Sequence, residues 1–368
     1  MDFSFTEEQE TVGKVARQLF EARATPERLT ELESGDVRYD AALWTELASS
    51  DLLGIALPES VGGSGGGFLE LGMLLSEVGW SVAPVPVYAT LTLGADTIAR
   101  HGDSDVQQRY LPGVVDGSVI LTAALAEAGN SNPAAPRSTT ARRHGDTWLV
   151  EGVKEMVPAA QLAHAIVVSA VADDGPGLFV VDTDAAEVVV TPVPTTDSEP
   201  YAQVTLTGAP ARRLNGDGDL VGSLYTRALV GLCAIQVGVT ERALRIAASY
   251  TAEREQFGRP IGSFQAVQQR MADAFIDTEA IRWTTWHAAW LIAEGRPAER
   301  EAAIAKFWAA EAGARVVATA QQVHGGMGID VTYPVSRYYL WAKDIELALG
   351  SASQQLARLG TAYPEGRK

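Results

Sequence analysis

This sequence of 368 residues has little cysteine, no cluster of histidines, no long apolar run and no excess of positive charge. The single cysteine, Cys233, excludes an internal disulfide bond and is typical of a protein from a reducing compartment. The five histidines are scattered, and none lies at ligand spacing from a cysteine or a carboxylate, so no metal site is predicted. No apolar run approaches the roughly 18 to 20 residues of a membrane span.

The charge balance narrows the class of ligand further. A formal net charge of -17 argues against a general nucleic-acid binder, and any polyanionic ligand must be met by local cations or helix N-termini. The N-terminal stretch MDFSFTEEQE is acidic and lacks a basic segment followed by an apolar one. The sequence therefore predicts a cytoplasmic protein without a membrane span.

The hydrophobic pattern changes twice along the chain, which predicts an α+β fold with three domains. Residues 1–117 read as helical, and Thr6 with Gln9 forms a plausible capping box at the first helix. Residues 118–212 contain five short segments rich in β-branched residues, which predict strands: TWLVEGVKEMV, HAIVVSAVA, GLFVVD, EVVVTPV and AQVTLTG. Residues 213–368 return to long helices, so the strands are segregated rather than alternating with helices.

Two stretches combine side chains that could bind a phosphate and a heterocycle. The first, AEREQFGRPIGSFQ, places an arginine, two glutamines and an aromatic residue where one helix ends near Gly258 and the next starts near Ser263. The second, QQVHGGMGIDVTYP, contains paired glycines that permit close approach of another backbone or a pyrophosphate. Read alone, each stretch is equally consistent with a structural turn.

Together, in this order and with this separation, the two stretches resemble the acyl-CoA dehydrogenase superfamily. The resemblance extends over essentially the whole chain, including LPESVGGSGGGFLELGMLLSEVG and RYLPGVVDGSVILTAALAEAG. It implies an N-terminal helical domain, a middle β-barrel domain and a C-terminal four-helix bundle. It also implies FAD, a CoA thioester substrate and α,β-dehydrogenation, in which a glutamate removes the α proton while the β hydrogen leaves as hydride to the flavin.

The glutamate that the resemblance calls for is absent from both positions where family members place it. Aligning DIELALGSASQQ on the family puts Gly350 at the first position, and aligning GVTERAL with EREQFG puts Ala228 at the second. We therefore predict no catalytic residue in this chain. The nearest carboxylate to Gly350 is that of Glu346, one helical turn away, which is the candidate for a relocated base.

The flavin motifs are altered in a selective way. The family pattern T-E-P-G-x-G-S-D reads AEAGNSNP here, with Ala126 and Pro133 replacing the threonine and the aspartate. The pattern K-x-W-I-T-N reads KEMVPA, with Met156 and Pro158 replacing the tryptophan and the threonine, and a proline supplies no N–H. By contrast, the residues that in the family reach across the dimer interface to the ADP part of a neighbouring subunit's FAD are kept: Arg254, Gln256, Phe257, Gln265, Gln322, Gly325 and Gly326.

The closest resemblance is to the smaller subunits of actinobacterial heterotetrameric dehydrogenases that shorten steroid side chains, through phrases such as HGGMGIDVTYP and LTAAL. It implies an α2β2 assembly in which this chain completes the FAD site of a second, dehydrogenase-like subunit. The substrate would be a steroid side-chain acyl-CoA, with an electron-transfer acceptor for the reduced flavin. Two alternatives stay open: a homotetrameric dehydrogenase with Glu346 as its base, and a scaffold that binds no flavin.

Overall fold

The structure, a computed structural model, describes residues 4 to 362. Its internal contacts divide the chain into two units, each assembled from segments that are distant in sequence. Unit 1 takes the chain up to Glu31, the segment Gly72–Ala83 and the chain from Leu229 onward, and unit 2 takes Leu32–Leu71 and Pro84–Ala228. The predicted domain boundaries after residues 117 and 212 stay a prediction.

The described residues form eleven α-helices, one π-helical segment (Tyr88–Ala95) and nine strands, two of them in a short hairpin. The helices are α1 Glu7–Arg23, α2 Pro26–Glu33, α3 Ala41–Ser49, α4 Phe68–Ser81, α5 Asp96–His101, α6 Ser104–Val115, α7 Leu220–Glu253, α8 Gln265–Ala293, α9 Glu299–His324, α10 Val335–Leu347 and α11 Ala352–Ala362. The strands are β1 Leu121–Ala124, β2 Thr140–His144, β3 Thr147–Pro158, β4 Ala165–Ala172, β5 Gly175–Asp182, β6 Val188–Val193, β7 Tyr201–Arg213, β8 Glu255–Gln256 and β9 Arg259–Pro260.

The start of α1 follows from its sequence. The Thr6 hydroxyl accepts a hydrogen bond from the Gln9 N–H at 3.2 Å, and the Gln9 side chain accepts one from the Thr6 N–H at 3.0 Å. This confirms the predicted capping box, which satisfies two N–H groups that the helix leaves without partners. The inward face of α1 buries Ala16 and Phe20 completely.

Unit 1 is helical, with α9 packed against α8, α10 and α11. Glycines allow α4 and α7 to approach closely, because a Cβ atom at Gly79 would lie 2.0 Å from the Ile235 carbonyl oxygen and one at Gly238 would lie 1.8 Å from that of Ser76. By length and composition α7 is the one helix in the described chain that could cross a membrane, but 83% of its most apolar window is buried inside the protein. It is therefore best interpreted as a core helix.

Unit 2 contains a β-barrel, as predicted for the middle of the chain. Strands β4, β2, β3, β7 and β5 pair in that order, and β5 pairs back to β4, so the sheet closes on itself. Strand β1 runs parallel to β4 from Ala165 to Val168, and β6 pairs with β7. The inward-facing side chains form a fully buried core that includes Val150, Ile166, Val168, Phe179 and Val204. The predicted strands coincide with β3 to β7, whereas β1 and β2 were not among them.

An ion pair is buried inside this sheet. The Lys154 ammonium of β3 lies 2.9 Å from a Glu127 carboxylate oxygen, and the two side chains are 0% and 1% exposed. Lys154 also lies 3.0 Å from the Ser169 hydroxyl of β4, while Glu127 accepts hydrogen bonds from the N–H groups of Arg137, Ser138 and Thr139. Burial would raise the pKa of Glu127, but these N–H donors and the ammonium hold it well below its usual range. The pair is therefore ionised at neutral pH.

We expect Lys154→Met to destabilise the protein by about 3 to 5 kcal/mol, because it leaves the Glu127 carboxylate buried without a cation. The matched control is Lys14→Met, whose ion pair with Glu10 lies on the surface with side chains 68% and 52% exposed, and which should cost at most about 1 kcal/mol. Urea unfolding followed by circular dichroism measures both variants. Equal destabilisation by the two substitutions would show that the buried pair has no special role.

Candidate functional site

The first predicted stretch forms a tight hairpin between α7 and α8. Strands β8 and β9 pair through Gln256 and Arg259, and both loop residues, Phe257 and Gly258, have positive φ angles of 56° and 78°. Two central residues with positive φ define the tight turn that suits a two-residue hairpin. The prediction that the helix continues to Gly258 is wrong, because α7 ends at Glu253 and the hairpin pairing takes over.

The side chains on this hairpin point to solvent and keep free donors. Phe257 is 94% exposed, and Arg254, Gln256 and Gln265 are also exposed. Within residues 4–362, no carboxylate oxygen lies within 4.0 Å of the Arg254 guanidinium, which removes the alternative that Arg254 only forms an ion pair on its own helix surface. An unpaired guanidinium retains the planar set of donors that binds phosphate oxygens.

The second predicted stretch follows the end of α9. Gln322 is exposed in the last turn, and Gly325 has a φ of 59° as the chain enters the short helical turn Gly325–Ile329. A Cβ atom built on Gly325 or Gly326 would meet nothing within 4 Å. The backbone is therefore open at this turn, as a pyrophosphate or another chain needs for close approach.

The two stretches meet within unit 1 through aromatic rings. The Tyr250 ring, one turn before Arg254, stacks on the His324 ring at a centroid distance of 4.2 Å. His324 directly precedes the glycine pair and was not singled out by its sequence pattern. The seven predicted cofactor residues are all exposed, and they lie on the segments that this contact joins and at the start of α8: Arg254, Gln256, Phe257, Gln265, Gln322, Gly325 and Gly326.

In unit 2, the altered flavin motifs offer few donors. Met156 is 43% exposed with a positive φ of 49°, and Pro158 has no N–H while its carbonyl accepts from the Thr122 hydroxyl at 2.6 Å. The Ala126 carbonyl accepts the Glu155 N–H at 3.0 Å. No hydroxyl or indole stands at the four altered positions, Ala126, Pro133, Met156 and Pro158. The residues present therefore do not fit a flavin ring bound in the family manner by this chain's own barrel.

Neither of the two predicted base positions carries a carboxylate. Gly350 lies between α10 and α11 with a φ of 114°, a conformation that a glutamate adopts only with strain. Leu349, one residue earlier, is also apolar, so a register shift of one position supplies no acid. Ala228 is fully buried in α7, where its carbonyl accepts the Tyr88 hydroxyl at 3.1 Å.

The carboxylate of Glu346 forms an ion pair on its own helix. It pairs with the Lys343 ammonium one turn earlier on α10 at 2.6 Å. This ion pair engages one carboxylate oxygen of Glu346 with a cation on the same helix. The assignment of Glu346 as a relocated base stays a prediction.

Lys306 is a feature of this region that sequence reasoning missed. Its side chain is fully buried, and the ammonium donates to the Gly350 carbonyl at 2.9 Å and to that of Glu346 at 3.3 Å. Burial lowers the pKa of Lys306 to about 8. The sequence pattern that could have predicted this buried lysine is its place on an apolar helix face. Ala302, Ala305 and Ala309 on the same face are fully buried.

Three family descriptions match the chain in succession. The acyl-CoA dehydrogenase N-terminal domain matches residues 6–118, the middle domain residues 122–207 and the C-terminal domain residues 225–363. The chain therefore belongs to the acyl-CoA dehydrogenase family, whose members bind FAD, which confirms the fold and the family predicted from the sequence.

Three known proteins are similar to this chain over nearly its full length. A chain of a variant of the steroid acyl-CoA dehydrogenase Tcur3481-Tcur3483 is 46% identical with a TM-score of 0.93, over 96% of this chain and 97% of that one. A chain of the ChsE4-ChsE5 complex from Mycobacterium tuberculosis is 39% identical with a TM-score of 0.95, over the full length of both. Acyl-CoA dehydrogenase FadE27 of M. tuberculosis H37Rv is 39% identical over 99% of each chain.

The lowered pKa of Lys306 generates a pH prediction. Because the folded-state pKa of about 8 lies below the ordinary 10.5, the unfolded chain binds more protons between these values, so stability rises with pH there. Relative to Lys306→Met, the native chain should gain up to about 1.4 kcal/mol per pH unit across this window. Chemical denaturation of both proteins at pH 7.5, 8.5 and 9.5 measures the difference. A difference independent of pH would contradict the lowered pKa of Lys306.

Proposed function

We propose that this chain is one subunit of an α2β2 heterotetrameric, FAD-dependent acyl-CoA dehydrogenase of the cytoplasm. In this role it completes the FAD site of the partner subunit, supplies no catalytic base and is inactive alone. FAD, when bound, accepts the hydride from the β carbon of the CoA thioester, and the partner provides the glutamate that removes the α proton. The residues of this chain bind and orient the ADP part of the cofactor.

The observation on which the proposal depends is the contrast between the two sets of residues. The exposed junction in unit 1 keeps an unpaired arginine, exposed glutamine side chains and an open glycine turn, all of which fit a pyrophosphate. The barrel in unit 2 has Ala126 and Pro158 where the family resemblance places the hydroxyl groups that contact a flavin. A chain that contributes residues only to the FAD site of a neighbouring subunit needs an unlike subunit to provide the rest of that site.

Exposed apolar side chains on the same two loops support a protein partner there. Phe257 is 94% exposed, and Met327, Ile329 and Val331 are 44%, 72% and 77% exposed. Scattered exposed apolar residues are ordinary, but four on two neighbouring loops are typical of a protein interface. The partner is proposed to cover them while its FAD reaches Arg254.

The substrate class rests on similarity. The relatives include a steroid acyl-CoA dehydrogenase and a two-component complex, which supports a steroid side-chain acyl-CoA as substrate and a second dehydrogenase-like chain as partner. An electron-transfer acceptor would reoxidise the flavin. The homotetramer with a relocated base is the weaker alternative because Glu346 is paired with Lys343, and a flavin-free scaffold leaves the free Arg254 without a role.

Arg254→Ala is the direct test of this function. Hydrogen bonds to charged groups contribute roughly 1.5 to 3 kcal/mol, so the variant complex should bind FAD about 10- to 150-fold more weakly. It should still assemble, lose FAD on dilution and regain activity with excess FAD. The measurement is an FAD titration of the variant co-purified with its partner, which is to be sought in the neighbouring open reading frame.

Arg300→Ala is the matched control, because Arg300 is exposed and paired with Glu301 at 2.6 Å on the surface of α9. It should leave FAD retention unchanged. If Arg254→Ala retains flavin and activity as well as Arg300→Ala does, the half-site function is wrong.

A further inference from the structure

His324 occupies an enclosed position at the junction of the two loops. It is the last residue of α9 and only 3% exposed. Its ring stacks on Tyr250 at 4.2 Å with an interplanar angle of 28°, and lies 5.1 Å from the Tyr333 ring at 53°. The imidazole is therefore packed between one aromatic ring from the end of α7 and another from the segment before α10.

The hydrogen bonds of His324 fix its tautomer. Nδ1 lies 2.6 Å from the Ala320 carbonyl oxygen, and since a carbonyl only accepts, Nδ1 must hold the proton. In the neutral ring Nε2 is then an acceptor, and it lies 3.3 Å from the Tyr333 hydroxyl, which donates. Both ring nitrogens and one ring face thus have defined partners.

These contacts link the two segments of the exposed junction. Tyr250 is joined to Arg254 by the hydrogen bond from the Arg254 N–H to the Tyr250 carbonyl at 2.8 Å. On the other side, His324 is bonded covalently to Gly325, which starts the glycine turn. The stack of His324 on Tyr250 is therefore a side-chain contact between the segment that leads into the glycine turn and the helix end that presents Arg254.

The far side of both tyrosines is not densely packed. Tyr250 and Tyr333 line an open cleft of about 1060 Å³ together with Trp80, Arg242 and Arg337. Neither tyrosine is fully buried. The contacts with His324 lie on the side of the two rings away from the open cleft and contribute to their packing there.

We infer that His324 is a positioning residue: it sets the separation between Arg254 and the Gly325–Gly326 turn, and so the fit of this half-site to the ADP part of a partner's FAD. The inference rests on the proposed function and names a residue that acts through others, since His324 itself is buried. Without the imidazole, each loop keeps its own backbone conformation but loses its fixed distance from the other.

The first test measures FAD affinity in the complex with the partner subunit. His324→Ala removes the stack and both hydrogen bonds and should weaken FAD binding by about 5- to 50-fold. Tyr333→Phe removes only the hydroxyl donor and should weaken it by about 2- to 10-fold. His324→Phe keeps a ring against Tyr250 and should fall between His324→Ala and the native chain.

The second test separates positioning from general stability in the isolated chain. Hydrogen–deuterium exchange of the hairpin at residues 255–264 and of the turn at 325–329 should rise together in His324→Ala. Val317→Ala is the matched control, because Val317 is buried in the same helix at 1% exposure but lies two turns from the junction. Even where Val317→Ala lowers the melting temperature as much as His324→Ala does, it should leave the FAD affinity and the hydrogen–deuterium exchange of both loops unchanged.

The outcomes distinguish this inference from the proposed function. If Arg254→Ala leaves FAD binding unchanged, the half-site function itself fails. If Arg254→Ala weakens binding while His324→Ala and Tyr333→Phe do not, the half-site stands and the positioning role is wrong. Equal weakening by Val317→Ala and His324→Ala also overturns the inference, because it assigns the effect to overall stability.

Discussion

The buried ion pair between Glu127 and Lys154 constrains several segments of the barrel at once. A carboxylate and an ammonium at 1% and 0% exposure are tolerated only if their remaining donors and acceptors are satisfied. Glu127 therefore fixes the three successive N–H groups at residues 137–139, and Lys154 draws in the Ser169 hydroxyl of β4. One ion pair therefore fixes the positions of four segments: the one that contains Glu127, residues 137–139, β3 and β4. The apolar core packs against them.

This constraint accounts for two of the letters that the altered flavin motifs keep. In AEAGNSNP and KEMVPA the glutamate and the lysine remain, and these are the two side chains that pair inside the protein. Four of the replaced letters, Ala126, Pro133, Met156 and Pro158, are ones that the family resemblance assigns to the flavin and its surroundings. Loss of cofactor contacts with retention of the buried pair is consistent with a chain that must fold as a dehydrogenase but does not bind its own flavin ring.

Local patterns predicted much of the fold. The capping box at Thr6 and five strands of the barrel follow from short-range chemistry, and the structure confirms them. The hairpin at Phe257 was missed because a two-residue turn with an aromatic residue at positive φ has no common sequence signature. The family resemblance, not periodicity, supplied the cofactor residues.

Lys306 and His324 could not be assigned from their neighbours in sequence, because their partners lie far along the chain. Lys306 meets the carbonyls of Glu346 and Gly350, and His324 meets Tyr250 across the junction. A lone histidine or a lone lysine in a helix is more often structural than functional, and only the tertiary contacts show what each one holds. The residues of the proposed half-site and the two buried side chains, Lys306 and His324, therefore differ in burial: the former face solvent and the latter do not.

Counting flavin per chain tests the central claim most directly. The isolated subunit and the co-purified complex are denatured, and released FAD is quantified against the amount of this chain. The half-site account predicts essentially no flavin in the isolated subunit and one FAD per pair of unlike chains in the complex. Stoichiometric FAD in the isolated subunit, or two FAD per pair of unlike chains, would contradict it.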